Sequence, residues 1–157
     1  MFHRPRFVLA LCCATAAGLP AGLEAAQPTA AQDLKLQPVQ EGVEFDVPSG
    51  PEVAKCRVEA IKKNGTSGWS VYDGSNQLLR RFIDRNRDNR IDQWSYFRSG
   101  IEVYRDIDDD HNGKAEQYRW LGTAGSRWGL DQDEDGRIDS WKTISPEEVT
   151  AEVVTAI

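Results

Sequence analysis

The 157-residue chain is constrained above all by one stretch that occurs three times. Residues 84–92 read DRNRDNRID, residues 108–116 read DDDHNGKAE, and residues 131–139 read DQDEDGRID. Oxygen-bearing side chains stand at alternate positions, and the sixth position is Gly or Asn, the residues that tolerate a positive φ. Spacing of this kind lets a short loop turn its carboxylates inward on a hard cation such as calcium. Asp, Asn and Gly also suit metal-free turns, through side-chain bonds to their own backbone. A turn does not need three alternating acids and a fourth at position nine, however, and their mutual repulsion favours a cation.

The loops set the period of the chain. Asp84, Asp108 and Asp131 lie 24 and 23 residues apart, and the flanking residues align in columns. Ile83, Ile107 and Leu130 precede the loops, and Ile91, Ala115 and Ile138 fill the eighth position. Trp94, Tyr118 and Trp141 follow two residues beyond, then Tyr96, Trp120 and Thr143. Agreement at four apolar columns as well as the acidic ones predicts internal duplication. Each unit is split by a second turn, at Gly74, Gly100 and the segment 122–125. The runs between turns, such as W-S-Y-F at 94–97 and I-E-V-Y at 101–104, are β-branched and aromatic. These features predict a mainly β fold, an antiparallel meander of repeated hairpin units with the acidic loops along one edge. One hairpin buries too little surface to stand alone, so neighbouring units must stack.

The remainder reads as flanks. Residues 1–26 carry Arg4 and Arg6 before an apolar run from Phe7, too short to span a bilayer, as in a secretory signal peptide. Ala25 and Ala26 offer a cleavage point; acylation at Cys12 or Cys13 fits less well because Leu11 is not small. The chain is therefore expected to be secreted, periplasmic or held at the cell surface, with no membrane span in its mature form. Residues 27–50, broken by Pro28, Pro38 and Pro48, read as a flexible linker. Residues 51–145 form the β-repeat domain, opening with a β-prone run from Val53 and an Asn64-Gly65 turn. Ser145-Pro146-Glu147-Glu148 is a capping box that starts a helix over 146–157. That helix has no stop signal before Ile157, so it reads as ending in mid-helix or as the front of a longer chain.

Composition narrows the partners. The formal charge is −6, and loss of residues 1–26 removes two arginines and one glutamate, leaving −7. An acidic chain disfavours nucleic acid and anionic membrane. Cys56 is the sole cysteine beyond residue 26, so no disulfide framework is available. A small domain without disulfides needs another staple, and metal is one.

The loops resemble the calcium loops of EF-hand proteins, dockerins and thrombospondin type 3 repeats over about nine residues each. The likeness implies ligands Asp131, Asp133, Asp135, the Arg137 carbonyl and Asp139 in the third loop. In the second it implies Asp108, Asp110, Asn112, the Lys114 carbonyl and Glu116. In the first it implies Asp84, Asn86, Asp88, the Arg90 carbonyl and Asp92, with Asn89 in place of Gly. The bidentate Glu that ends an EF-hand loop is replaced by Ser95, Arg119 and Lys142. Weak, structural calcium binding is therefore expected, with dissociation constants of about 0.1–1 mM. The third loop ranks strongest and the first, with Arg85, Arg87 and Arg90, weakest. Residues 69–145 as a whole are similar to exported bacterial proteins with repeated D-x-D-x-D-G-x-x-D-x-W hairpins, a likeness that implies no defined activity.

An alternative uses the aromatic residues. Rows of Trp94, Tyr96, Tyr118 and Trp120, if exposed, would stack on cell-wall polysaccharide, and the run from Trp94 to Gly100 is loosely similar to choline- or glucan-binding cell-wall repeats. Burial of the same residues as core is the competing reading, and another protein is the remaining partner class. Catalysis has little support: the single histidine past residue 26 is His111, and neither G-x-S-x-G nor H-E-x-x-H occurs. The chain reads as a non-catalytic scaffold or binding domain.

Overall fold

Eight strands follow one another in space in the order in which they follow one another in sequence. The computed structural model describes residues 28–63, 66–123 and 125–144. The strands are β1 (Arg57–Lys63), β2 (Thr66–Tyr72), β3 (Leu78–Asp84), β4 (Gln93–Arg98), β5 (Ile101–Ile107), β6 (Gln117–Gly122), β7 (Gly125–Leu130) and β8 (Ser140–Ile144). All neighbours pair antiparallel in a single open sheet ordered β1 to β8. In such a meander alternate connections fall on opposite ends. The three acidic loops, which join β3–β4, β5–β6 and β7–β8, therefore share one end, and the turns at Gly74 and Ser99-Gly100 share the other with the β6–β7 connection. Asn64-Gly65, the signal peptide expected over residues 1–26 and the helix expected over 146–157 lie outside the described residues. Among the described residues no helix is long and apolar enough to cross a membrane.

Register puts two continuous cross-strand rows on one face. Phe82, Trp94, Asp106, Tyr118, Gly129 and Trp141 are successive partners from β3 to β8. Arg80, Tyr96, Tyr104, Trp120, Arg127 and Thr143 form the second row. Aromatic neighbours make tilted or edge-on contacts along it, with centroids 5.9 Å apart for Tyr96–Tyr104 and 5.0 Å for Tyr104–Trp120. Gly129 interrupts the first row because the Ile138 side chain fills the place a Cβ would take, 2.6 Å from its Cδ1.

The opposite face is polar. Ser70, Arg81, Ser95, Arg105, Arg119, Trp128 and Lys142 lie in one row. Its long cations lie over aromatic rings, Arg81 above Phe97 and Arg119 above Trp128, while Arg105 pairs with Glu102 at 2.9 Å. A one-layer sheet of this kind can face water on this side only if something covers the other.

The cover is the segment ahead of the sheet. Composition predicts residues 27–50 to be a flexible linker; instead residues 28–50 pack across the aromatic face. They contain α1 (Ala30–Asp33) and the start of α2 (Gly50–Val53), each a single turn with a capping box, Thr29 with Gln32 and Ser49 with Glu52. Leu34 is buried with Val71, Leu79 and Phe82, and Cys56 packs half-buried beside them. Val43 and Phe45 pack on a second cluster of Tyr96, Tyr104 and Tyr118. Backbone bonds then tie the strap down, from Asp46 N–H to the Phe97 carbonyl at 2.9 Å and from Ser99 N–H to the Asp46 carboxylate at 2.6 Å. The prolines prevent long helices, yet scattered apolar residues still dock.

Asp33 of the strap is buried, and burial raises its pKa from 3.8 to about 6, partly opposed by a hydrogen bond with Trp69. The sign follows from linkage: between those values the unfolded chain ionises while the folded one holds its proton. Stability therefore falls as pH rises through that window, by roughly 3 kcal/mol. Asp33→Asn is expected to raise the melting temperature at pH 7 and to leave it unchanged at pH 3, where Asp33 is neutral in both states. Melting scans at the two pH values check this; equal shifts at both would exclude it.

Candidate metal centre

The three acidic loops adopt the same local conformation. Their fourth residues, Arg87, His111 and Glu134, all have positive φ (65°, 63° and 57°), and so do the sixth, Asn89, Gly113 and Gly136 (68°, 98° and 87°). Asn89 thus takes the left-handed conformation expected of it. The left-handed fourth residue carries no Gly or Asn in any loop, and no sequence signal marks it. Side-chain hydrogen bonds explain how the strain is held.

The first acid of each loop folds back on the turn. Asp84 accepts from Arg87 and Asn89 N–H, Asp108 from Asn112 and Gly113, and Asp131 from Asp135 and Gly136, at 2.6–3.2 Å. The third position accepts from the fifth: Asn86 from Asp88, Asp110 from Asn112, Asp133 from Asp135. The fifth accepts from the seventh, so Asp88, Asn112 and Asp135 hold the N–H groups of Arg90, Lys114 and Arg137 at 2.8–2.9 Å. The ninth reaches back to the second: Asp92 to Arg85, Glu116 to Asp109, Asp139 to Gln132. Every predicted side-chain ligand is thus a backbone acceptor, as a turn requires.

Backbone bonds place each loop relative to the next. The N–H groups of Asp92, Glu116 and Asp139 close on the carbonyls of Ile83, Ile107 and Leu130. The Asp92 carbonyl accepts from Asp108 N–H at 2.8 Å, and that of Glu116 from Asp131 N–H at 2.9 Å. Side chains add cross-links: Arg85–Asp109 at 3.3 Å, His111–Asp92 at 3.1 Å and Lys114–Glu134 at 3.3 Å. The Asp92 contact raises the pKa of His111.

Oxygen convergence differs between loops. Ligand atoms of Asp108, Asp110 and Glu116 all lie within 4.8 Å of one another, as do those of Asp131, Asp133 and Asp139. Among the described residues Asp84, Asp88 and Asp92 form no such group. Glu116 Oε2 is buried without a hydrogen-bond partner. Burial, with Asp108 and Asp110 adding repulsion, pushes the Glu116 carboxyl up. The second loop thus gathers three carboxylates, one of them with an oxygen that has no hydrogen-bond partner. The positions of the missing closing Glu offer no oxygen pair of their own: Ser95 is buried, and Arg119 and Lys142 both lie over the Trp128 ring, while Glu134 of the third loop accepts from the Asn112 amide at 2.6 Å.

The aromatic residues are not an exposed row. Tyr96 and Tyr118 are buried, Trp94 and Trp120 are half-buried, and Trp141 is the exposed ring, at 50%. Tyr96 and Tyr118 belong to the core with Tyr104, and Trp94 and Trp120 pack against that cluster while keeping part of their surface exposed. No protein-family model matches the chain, and no curated protein and no solved structure matches it significantly.

Proposed function

We propose that the chain is an exported, non-catalytic scaffold built by repeating one unit of about 24 residues, a hairpin with an acidic loop, whose second and third loops weakly bind calcium. The observation that carries this reading is Glu116 Oε2, buried and unpartnered beside the carboxylates of Asp108 and Asp110. The third loop has the same grouping through Asp131, Asp133 and Asp139, while the first adds three arginines to a looser set. Bound calcium would neutralise acids that already hold the turns and would pin the register of β5–β6 and β7–β8. Its role is stabilisation rather than signalling, because no bidentate Glu closes any loop.

Thermal melts in chelator and in calcium test the reading. At about ten times the dissociation constant each occupied site contributes about 1.4 kcal/mol, raising the melting temperature by several degrees. Glu116→Gln, which keeps an oxygen for Asp109 N–H, should remove the second loop's share. A melt indifferent to calcium would exclude the proposal.

A further inference from the structure

A cavity of about 440 Å³ lies between the strap and the second and third loops. Leu36, Gln37 and Val39 of the strap form one wall, Trp94, Tyr96 and Tyr118 the floor, and the loop glycines Gly113 and Gly136 part of the rim. The rim residues Gly113, Gly136, Leu36 and Gln37 are exposed, so the space opens to solvent.

Asp106 sits in its floor and is 1% exposed. Its cross-strand neighbours are Trp94 on β4 and Tyr118 on β6, so a carboxylate occupies the centre of an aromatic row. Two neutral donors hold it, the Tyr104 hydroxyl at 2.5 Å on Oδ1 and the Val39 N–H at 3.2 Å on Oδ2. No ion pair among the described residues includes Asp106. Two of about four acceptor positions are thus used, and no cation offsets the charge. A second buried carboxylate, Asp131, lines the same space and accepts from the Tyr118 hydroxyl at 3.0 Å. Burying a carboxylate without a counter-charge is costly, and a cation that reaches it offsets that cost. Aromatic faces around it favour an organic cation over a bare metal ion, since ring quadrupoles attract ammonium groups and their carbon skeletons bury apolar surface.

We propose that this cavity binds a small organic cation, with its ammonium group on the Asp106 carboxylate and its carbon skeleton against the half-buried Trp94 ring. Acidic lining from Glu134 and Asp135 at the loop side draws the same class of ligand inward, against the single cation Lys114. The site does not require the loops to hold calcium, although Asp131 belongs to both.

Tryptophan fluorescence and calorimetry on the full chain, in calcium and again in chelator, test this with benzylamine, putrescine and tetramethylammonium. Benzyl alcohol is the neutral control of the same shape, and N-acetylglucosamine the saccharide control. Benzylamine is expected to bind at least about tenfold more tightly than benzyl alcohol. Asp106→Asn should abolish that difference, and Trp94→Leu should weaken both. The amine-to-alcohol ratio on the unaltered protein carries the test even if a variant fails to fold. Equal affinity for the pair, no saturable binding of any of the three amines, or tighter binding of N-acetylglucosamine would each overturn the proposal.

Discussion

Arg80→Ala is expected to destabilise the fold by about 3–4 kcal/mol and to release the strap. Arg80 has no exposed surface and lies 4.4 Å from the Phe45 ring centroid and 5.2 Å from that of Tyr96. Nη1 donates to the Asp46 carbonyl at 3.0 Å and to the Leu79 carbonyl at 2.7 Å, while Nε and Nη2 have no partner. Burial lowers its pKa to about 10, so it is still charged at neutral pH. Truncation would leave a void between two rings and strand the Asp46 carbonyl. Methionine fills most of that void and removes a charge with two unsatisfied donors, so Arg80→Met should recover most of the loss. Urea unfolding gives the energies, and limited proteolysis within residues 41–47 reports the strap. Wild-type stability and protection in Arg80→Ala would show that the guanidinium does not anchor it.

Gly68→Ala should be at least as damaging, about 3 kcal/mol or more, through backbone contact rather than packing. Gly68 stands opposite Ile83 in β2 with φ at +144°. A Cβ there would lie 2.0 Å from the Phe82 carbonyl oxygen and 3.1 Å from the Ile83 Cα. Neither atom can move without parting β2 from β3. Gly42→Ala is the matched control, since φ is +73° there but nothing lies within 4 Å, and it should cost only about 1–2 kcal/mol of left-handed strain. Equal losses at the two positions would mean that β2 and β3 separate freely.

Strand runs, Gly turns and acidic loops were legible because each has a local cause: alternation, punctuation and oxygen spacing. Their order in the meander followed, since short connections leave neighbouring strands no other antiparallel arrangement. The strap was not legible. Leu34, Val43 and Phe45 show no period among the prolines, and their partners Phe82, Tyr96 and Tyr104 lie far along the chain. Nor was Asp106, which needs β4, β5 and β6 in register before it is seen to stand between Trp94 and Tyr118. The loop acids were recognised, but their bonding to backbone N–H groups is a matter of geometry that alternation leaves open.

Carbonyl-to-amide bonds from one loop to the next fix the step along the sheet edge at two strands, about 10 Å. That step is close to the Debye length of physiological salt, about 8 Å. Counted at neutral pH, the loops carry 0, −3 and −4 from first to third. The edge is therefore a short polyelectrolyte with a graded charge, whose adjacent loops sense one another in dilute buffer and become electrically separate in concentrated salt.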